Sequence, residues 1–234
     1  MKHSRLSIVP SVFALALLAA CSDEPATAPA GEAGQASDAA IEQPVMGPER
    51  RVLAFGNSLF AGYNVAPEDS YPAKLEVALR AQGINARVVK AGVSGDTTAA
   101  GLQRLTFTLD AQEEKPELFI LELGGNDLLR GIQPEQTRAN IAAMLDELKK
   151  REIPVLLMGM RAPPNYGPEY QKQFDALYPE LAEEYGTALV PFFLESIYDK
   201  PEMIQSDRIH PTEAGIEALV GATLSAVEET LPDS

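Results

Sequence analysis

The stretch VLAFGNSLFAGY, Val52–Tyr63, decides how the rest of the chain reads. An apolar run breaks at Gly56 and sets Ser58 among small residues. A hydroxyl just after a buried strand can cap a helix, make a turn or act as a nucleophile. Four later runs resemble its opening RVLAF (51–55): ARVVKA (86–91), ELFILEL (117–123), PVLLMGM (154–160) and ALVPFF (188–193). They lack in/out alternation, so the expectation is five strands covered on both faces.

Helical segments fall between the runs. SYPAKLEVALRAQG has Ser70 as its expected N-cap and Gly83 as its stop. PEQTRANIAAMLDELKKRE places Ile141, Met144, Leu145 and Leu148 on one face, with Lys149, Lys150 and Arg151 where the helix dipole favours cations. A last helix, expected to open at Pro211, carries Ile216, Leu219, Val220 and Val227 on one face. Repeated β–α units predict an α/β fold, with a five-stranded parallel sheet, right-handed crossovers and helices on both faces. Ligands in such sheets bind beyond the carboxyl ends of the strands.

The chain's 234 residues suffice for one such domain and a tail. Its 19 Lys and Arg stand against 34 Asp and Glu, a formal charge of −15, and no cationic cluster occurs. Sequence-independent nucleic-acid binding needs such clusters, so no nucleic-acid partner is expected. Cys21 is the single cysteine, which excludes an intramolecular disulfide or a cysteine-rich metal site.

The N-terminus reads as an export signal. Lys2 and Arg5 precede an apolar run, Leu6–Ala20, too short to span a bilayer comfortably. It ends as LLAAC, which resembles a bacterial lipobox; Cys21 is then the lipidated residue, against an uncleaved anchor or an ordinary signal. Residues 1–20 are expected to be a leader. Residues 21–48 form the lipidated cysteine and a disordered Ala/Pro-rich tether, and residues 49–234 the folded domain. With no cationic patch for anionic lipid, membrane attachment would rest on the lipid chains. The expected place is the bacterial cell envelope, facing the periplasm. Ser22 after the cysteine points to the outer membrane.

Compact polar groups follow three successive strands. Ser58 follows the first, AGVSGDTTAAG (91–101) the second and LGGNDLLRG (123–131) the third. Gly95 lets a backbone N–H approach a ligand with no Cβ in the way. QSDRIHPTEAG then sets Asp207 three residues before His210. His3 leaves with the leader, so a histidine base in the mature chain would be His210, with Asp207 able to fix its tautomer. Each motif alone also has an ordinary meaning: Ser58 a cap, GGND a turn, DRIH a surface pair. Asp96 and Asp127 are expected to cap the helices that follow them. Convergence on one sheet edge is what the ordinary meanings leave unexplained.

FGNSLFAGY, GVSGDTTAAG, LGGNDLLRG and DRIHP resemble, in order, the four blocks of the GDSL or SGNH hydrolase family, across roughly residues 50–230. LELGGNDLLRGIQPEQT, APPNYGPEY and VPFFLESIYDKPEMIQSDRIHP are similar to its bacterial arylesterase, thioesterase and lysophospholipase branch. The resemblance implies a three-layer α/β/α sandwich of flavodoxin-like order. It implies Ser58 as nucleophile, His210 as general base and Asp207 as the residue orienting it. It also implies an oxyanion hole from the N–H groups of Ser58 and Gly95 and the Asn126 amide. Acyl transfer needs an activated hydroxyl and donors aimed at the developing charge.

The expected activity is hydrolysis of small-molecule acyl esters or thioesters through an acyl-serine, with no metal or organic cofactor, by a monomer. A carbohydrate O-deacetylase and a non-catalytic lipid-binding surface protein are the alternatives. The family's first block normally has Asp before the serine; here Asn57 stands there, so a charge is lost and an NH₂ donor gained. The loop RAPPNYGPEY (161–170) is either a substrate wall or a rigid Pro-rich connection.

Overall fold

The structure is a computed structural model and describes residues 45–232. The expected leader, Cys21 and the tether up to residue 44 lie outside the described residues. Strand β1 (Arg50–Gly56) starts the sheet, followed by β2 (Ala86–Gly92), β3 (Leu118–Glu122), β4 (Val155–Met158) and β5 (Ala188–Val190). All pairings are parallel, in the order β2-β1-β3-β4-β5. The chain steps outward one way from β1 to β2 and then the other way from β1 to β3. A crevice therefore opens at the carboxyl ends of β1 and β3.

Burial follows strand position. Val52 to Phe55 and Leu118 to Leu121 are fully buried in the middle of the sheet. The edge strands depart from the expectation of cover on both faces: Arg87 and Lys90 of β2 are exposed, and β5 is half-buried throughout. Three runs, those of β3, β4 and β5, are also shorter as strands than as apolar stretches. Gly159 follows β4 at a point where a Cβ would collide with the Pro191 carbonyl oxygen, and Pro191 ends β5.

Two helical layers sandwich the sheet. Helix α2 (Tyr71–Ala81) packs against α7 (Glu213–Thr230), while α5 (Pro134–Lys150) packs between α3 (Thr98–Asp110) and α6 (Pro168–Tyr185). Ile141, Met144, Leu145 and Leu148 are the buried stripe of α5, and Ile216, Leu219, Val220 and Val227 lie buried in α7. Among the described residues, no helix is long and apolar enough to cross a membrane.

Four local expectations are corrected. Ser70 stands at the N-cap of α2, but its hydroxyl donates to the Pro67 carbonyl at 2.8 Å instead of capping. Helix α7 opens after Thr212, whose Oγ1 accepts from Gly215, while Pro211 bridges back to Ile204. Helix α3 is capped by Thr97, leaving the Asp96 carboxylate to pair with Arg104 at 2.6 Å. Asp127 lies buried inside helix α4 (Gly125–Leu129) and accepts from Thr98 N at 2.8 Å and from the Thr98 and Thr137 hydroxyls. It thus braces the start of α3 rather than the helix that follows it.

Candidate active site

Helix α1 (Ser58–Ala61) is one turn long, below the length at which an isolated helix persists. Packing holds it. Phe60 is fully buried, stacked on Tyr71 at 4.9 Å and edge-on to Phe193 at 5.7 Å. Asn57 caps its start, accepting from Leu59 N at 2.9 Å, and Gly62 closes it in the left-handed conformation at φ +77°. Ser58 is the first residue of this anchored turn, just beyond the end of the interior strand β1.

The second contribution comes from 152 residues later. His210 Nε2 lies 2.9 Å from Ser58 Oγ, and His210 Nδ1 lies 2.6 Å from Asp207 Oδ2. With Nδ1–H donating to the carboxylate, Nε2 is left to accept from the serine hydroxyl. The other carboxylate oxygen accepts from the N–H groups of Ile209 and His210, at 2.9 and 3.0 Å. Partial burial pushes the Asp207 carboxyl up, but these hydrogen bonds and the facing imidazole outweigh it and hold it at about 2. Arg208 takes the left-handed conformation at φ +61° to make the tight loop.

Gln205 fastens that loop to the serine helix. Its side-chain amide donates to the carbonyls of Tyr63 and Pro211, at 2.9 and 2.8 Å, and its N–H donates to His210 O at 2.7 Å. The Tyr63 ring lies over the imidazole. Sequence reasoning misses both roles, because a Gln and a Tyr in polar loops carry no signal of their own.

Gly95 and Asn126 border Ser58. Gly95 adopts φ +86°, and its carbonyl accepts from Arg130 Nη2 at 2.8 Å. Asn126 Nδ2 donates one hydrogen to Asp96 O at 2.8 Å, which leaves the second to point elsewhere. Among the described residues no protein acceptor faces the N–H of Ser58 or of Gly95. Arg104 steadies this side: it lies 3.7 Å over the Phe55 ring and donates to Gly56 O at 3.0 Å. Gly124 fits at φ +111° where a Cβ would run into the Tyr178 hydroxyl, itself bonded to Leu123 O.

These groups open on a cleft of about 460 Å³, with Leu128, Met160, Phe192, Leu194 and Ile204 on its walls. Its two arginines, Arg161 and Arg208, are cationic in a strongly acidic chain. Arg161 and Pro163 are the parts of the 161–170 loop that face the cleft. The remainder leads into α6, which starts at Pro168, with Ala162 N bonded to Asp175 and Tyr170 OH to Ile132 O. No group of three or more His, Cys, Asp or Glu side chains among the described residues could hold a metal ion.

A hydroxyl, an imidazole and a carboxylate in hydrogen-bonded series, beside unpaired N–H donors and an apolar cleft, can carry out acyl transfer. Residues 54–218 match the family model described as the GDSL-like Lipase/Acylhydrolase family. The chain is 44% identical over 163 residues to Esterase TesA of Pseudomonas aeruginosa, covering 70% of this chain and 80% of that protein. It is 42% identical over 160 residues to Thioesterase 1/protease 1/lysophospholipase L1 of Escherichia coli K12, covering 68% and 74%. Among solved structures, AlinE4, an SGNH-hydrolase family esterase, superposes with a TM-score of 0.68 at 62% identity, over 80% of this chain and all of that one.

Proposed function

Because the chain belongs to the GDSL-like lipase/acylhydrolase family and is an ester-hydrolysing enzyme, we propose that Ser58 is its nucleophile and acyl esters or thioesters its substrates. The series Asp207–His210–Ser58, with both contacts within 3 Å, is the observation that carries this reading. His210 Nε2 takes the hydroxyl proton as Ser58 Oγ bonds to the acyl carbon. The carbonyl oxygen then bears negative charge, and the N–H groups of Ser58 and Gly95 with the free hydrogen of the Asn126 amide receive it. The proton passes from His210 to the departing oxygen or sulfur. Water, deprotonated by the same imidazole, attacks the acyl-serine and frees the acid. Asp207 keeps the imidazole in the working tautomer throughout.

The apolar walls suit an acyl chain, and Arg161 with Arg208 suit an anionic group carried away from the scissile bond. We also propose that the leader ending at Ala20 is removed, and that lipid on Cys21 holds the domain, as a monomer, at the periplasmic side of the outer membrane. The LLAAC pattern and Ser22 support this. Loss of palmitate incorporation in Cys21→Ser is the expected result.

Hydrolysis of p-nitrophenyl acetate, longer acyl esters, acyl thioesters and acetylated xylan, compared between the wild type and Ser58→Ala, tests the enzymatic reading. The expected result is labelling of Ser58 by an organophosphonate and loss of at least about 10³-fold in kcat with alanine. Undiminished hydrolysis by Ser58→Ala would reject the nucleophile.

A further inference from the structure

Glu122 ends β3 with its side chain fully buried, although it is a carboxylic acid in the middle of the sheet. Among the described residues both of its hydrogen-bond partners are donors of Asn57. The Asn57 backbone N–H reaches Oε2 at 3.2 Å, and the side-chain Nδ2 reaches Oε1 at 2.9 Å. Glycine makes room for it. Gly56, opposite Glu122 in the β1–β3 register, would put a Cβ 2.8 Å from Oε2 and 2.8 Å from the Glu122 carbonyl oxygen.

The far side of the same amide faces the nucleophile. Asn57 Oδ1 accepts from Leu59 N at 2.9 Å and lies 3.4 Å from Ser58 Oγ. An amide can present its two ends either way round, but here both neighbours choose. The carboxyl group accepts and so requires the NH₂, while the Leu59 N–H donates and so requires the oxygen. Reversing the amide would break both bonds in a buried setting, and unmade bonds of this kind are costly. Burial pushes the Glu122 carboxyl up to about 8, against the opposing pull of the Asn57 bonds. A carboxyl oxygen keeps a lone pair and can accept even when it carries the proton itself, whereas an amide nitrogen cannot.

We propose that Glu122 and Asn57 form a matched acceptor–donor pair in which Glu122 is a positioning residue: it fixes the amide that caps α1, and through the cap it sets the place of Ser58. This rests on Ser58 being the nucleophile.

The pairing makes a reversal testable in the full-length protein. In Glu122→Gln, two donors of Asn57 meet an amide with a single acceptor, so a donor faces a donor. Adding Asn57→Asp repairs the mismatch in mirror image. In the double variant the introduced glutamine's oxygen accepts from the backbone N–H of position 57, and its NH₂ donates to one aspartate oxygen. The other aspartate oxygen caps Leu59. Steady-state kcat and KM on a p-nitrophenyl ester, with thermal unfolding, are measured for the wild type, E122Q, N57D, the double variant and Ser58→Ala.

The expected result is a kcat about tenfold lower in E122Q, with KM within about twofold, and recovery of most of that loss in the double variant. A purely space-filling Glu122 would give no such recovery. Wild-type kcat in E122Q, or a double variant no faster than E122Q, overturns the pair. If E122Q alone does not fold, a folded and active double variant supports the pair, and an unfolded or inactive one overturns it. Hydrolysis that survives Ser58→Ala would instead remove the nucleophile assignment, which separates the two failures.

Discussion

The ring of Tyr63 lies over the imidazole of His210, with centroids 4.2 Å apart and planes 28° from parallel. The tyrosine belongs to the turn that closes the serine helix, and the histidine to a loop 147 positions later in the chain. Stacked faces restrain an otherwise rotatable ring at the angle that faces Ser58. Tyr63→Ala is expected to lower kcat/KM roughly three- to tenfold, since misplacement of a reacting group costs rate steeply. Tyr63→Phe should keep near-wild-type kinetics, and steady-state assays of both variants check this.

The oxyanion role proposed for Asn126 should show in kcat. Removing one donor to a developing oxyanion costs about 10²–10³ in rate. Asn126→Ala is expected to lose that much in kcat with little change in KM on a soluble ester. A loss confined to KM would assign the amide to substrate binding instead.

Asp207 predicts an acid limb of stability. Its folded-state value, about 2, lies below the ordinary 3.8. The unfolded chain therefore binds more protons in that window, and the carboxylate's contribution, full above about pH 4, is lost as pH falls toward 2. The wild type should exceed Asp207→Asn in Tm at neutral pH, with the gap closing between about pH 4 and 2. Thermal unfolding in a pH series measures it.

Gly124 is expected to be intolerant of any side chain. At φ +111°, and with the Tyr178 hydroxyl where a Cβ would go, Gly124→Ala combines backbone strain and overpacking. The expected cost is about 2–4 kcal/mol, read as a Tm lower by roughly 5–15 °C in a chain of this size. Kinetics on the folded fraction would show Asn126, two positions on, displaced as well.

Much of the fold is legible because its sheet is written locally. Runs such as ELFILEL state their burial in consecutive residues, and the α5 stripe states its own at helical spacing. Ser58, Gly95 and Asn126 are legible as a set because each follows a strand, and parallel strands deliver such turns to one edge. Partner choice is what composition hides. Asp127 looks like a cap for its own helix, yet its carboxylate serves Thr98 and Thr137, 29 positions before and 10 after. Glu122 disappears inside an apolar run because its partners lie 65 residues away. The edge strands read as fully covered because apolar Val and Ala outweigh Arg87 and Lys90 in β2. Pro211 looks like a helix opening, but the Thr212 hydroxyl is the stronger cap and takes the start two residues further on.

The chain order of the elements puts Ser58, the proposed nucleophile, just after the first strand and His210, its proposed base, just ahead of the last helix. On the ribosome, a chain emerging from its N-terminal end can build the central strands and the anchored serine turn long before the histidine loop exists. Such a nascent chain holds an unactivated alcohol and attacks nothing. On the proposed assignment, hydrolysis waits for the segment that carries Asp207 and His210, so a fragment ending ahead of residue 207 should be inert however well its sheet has formed.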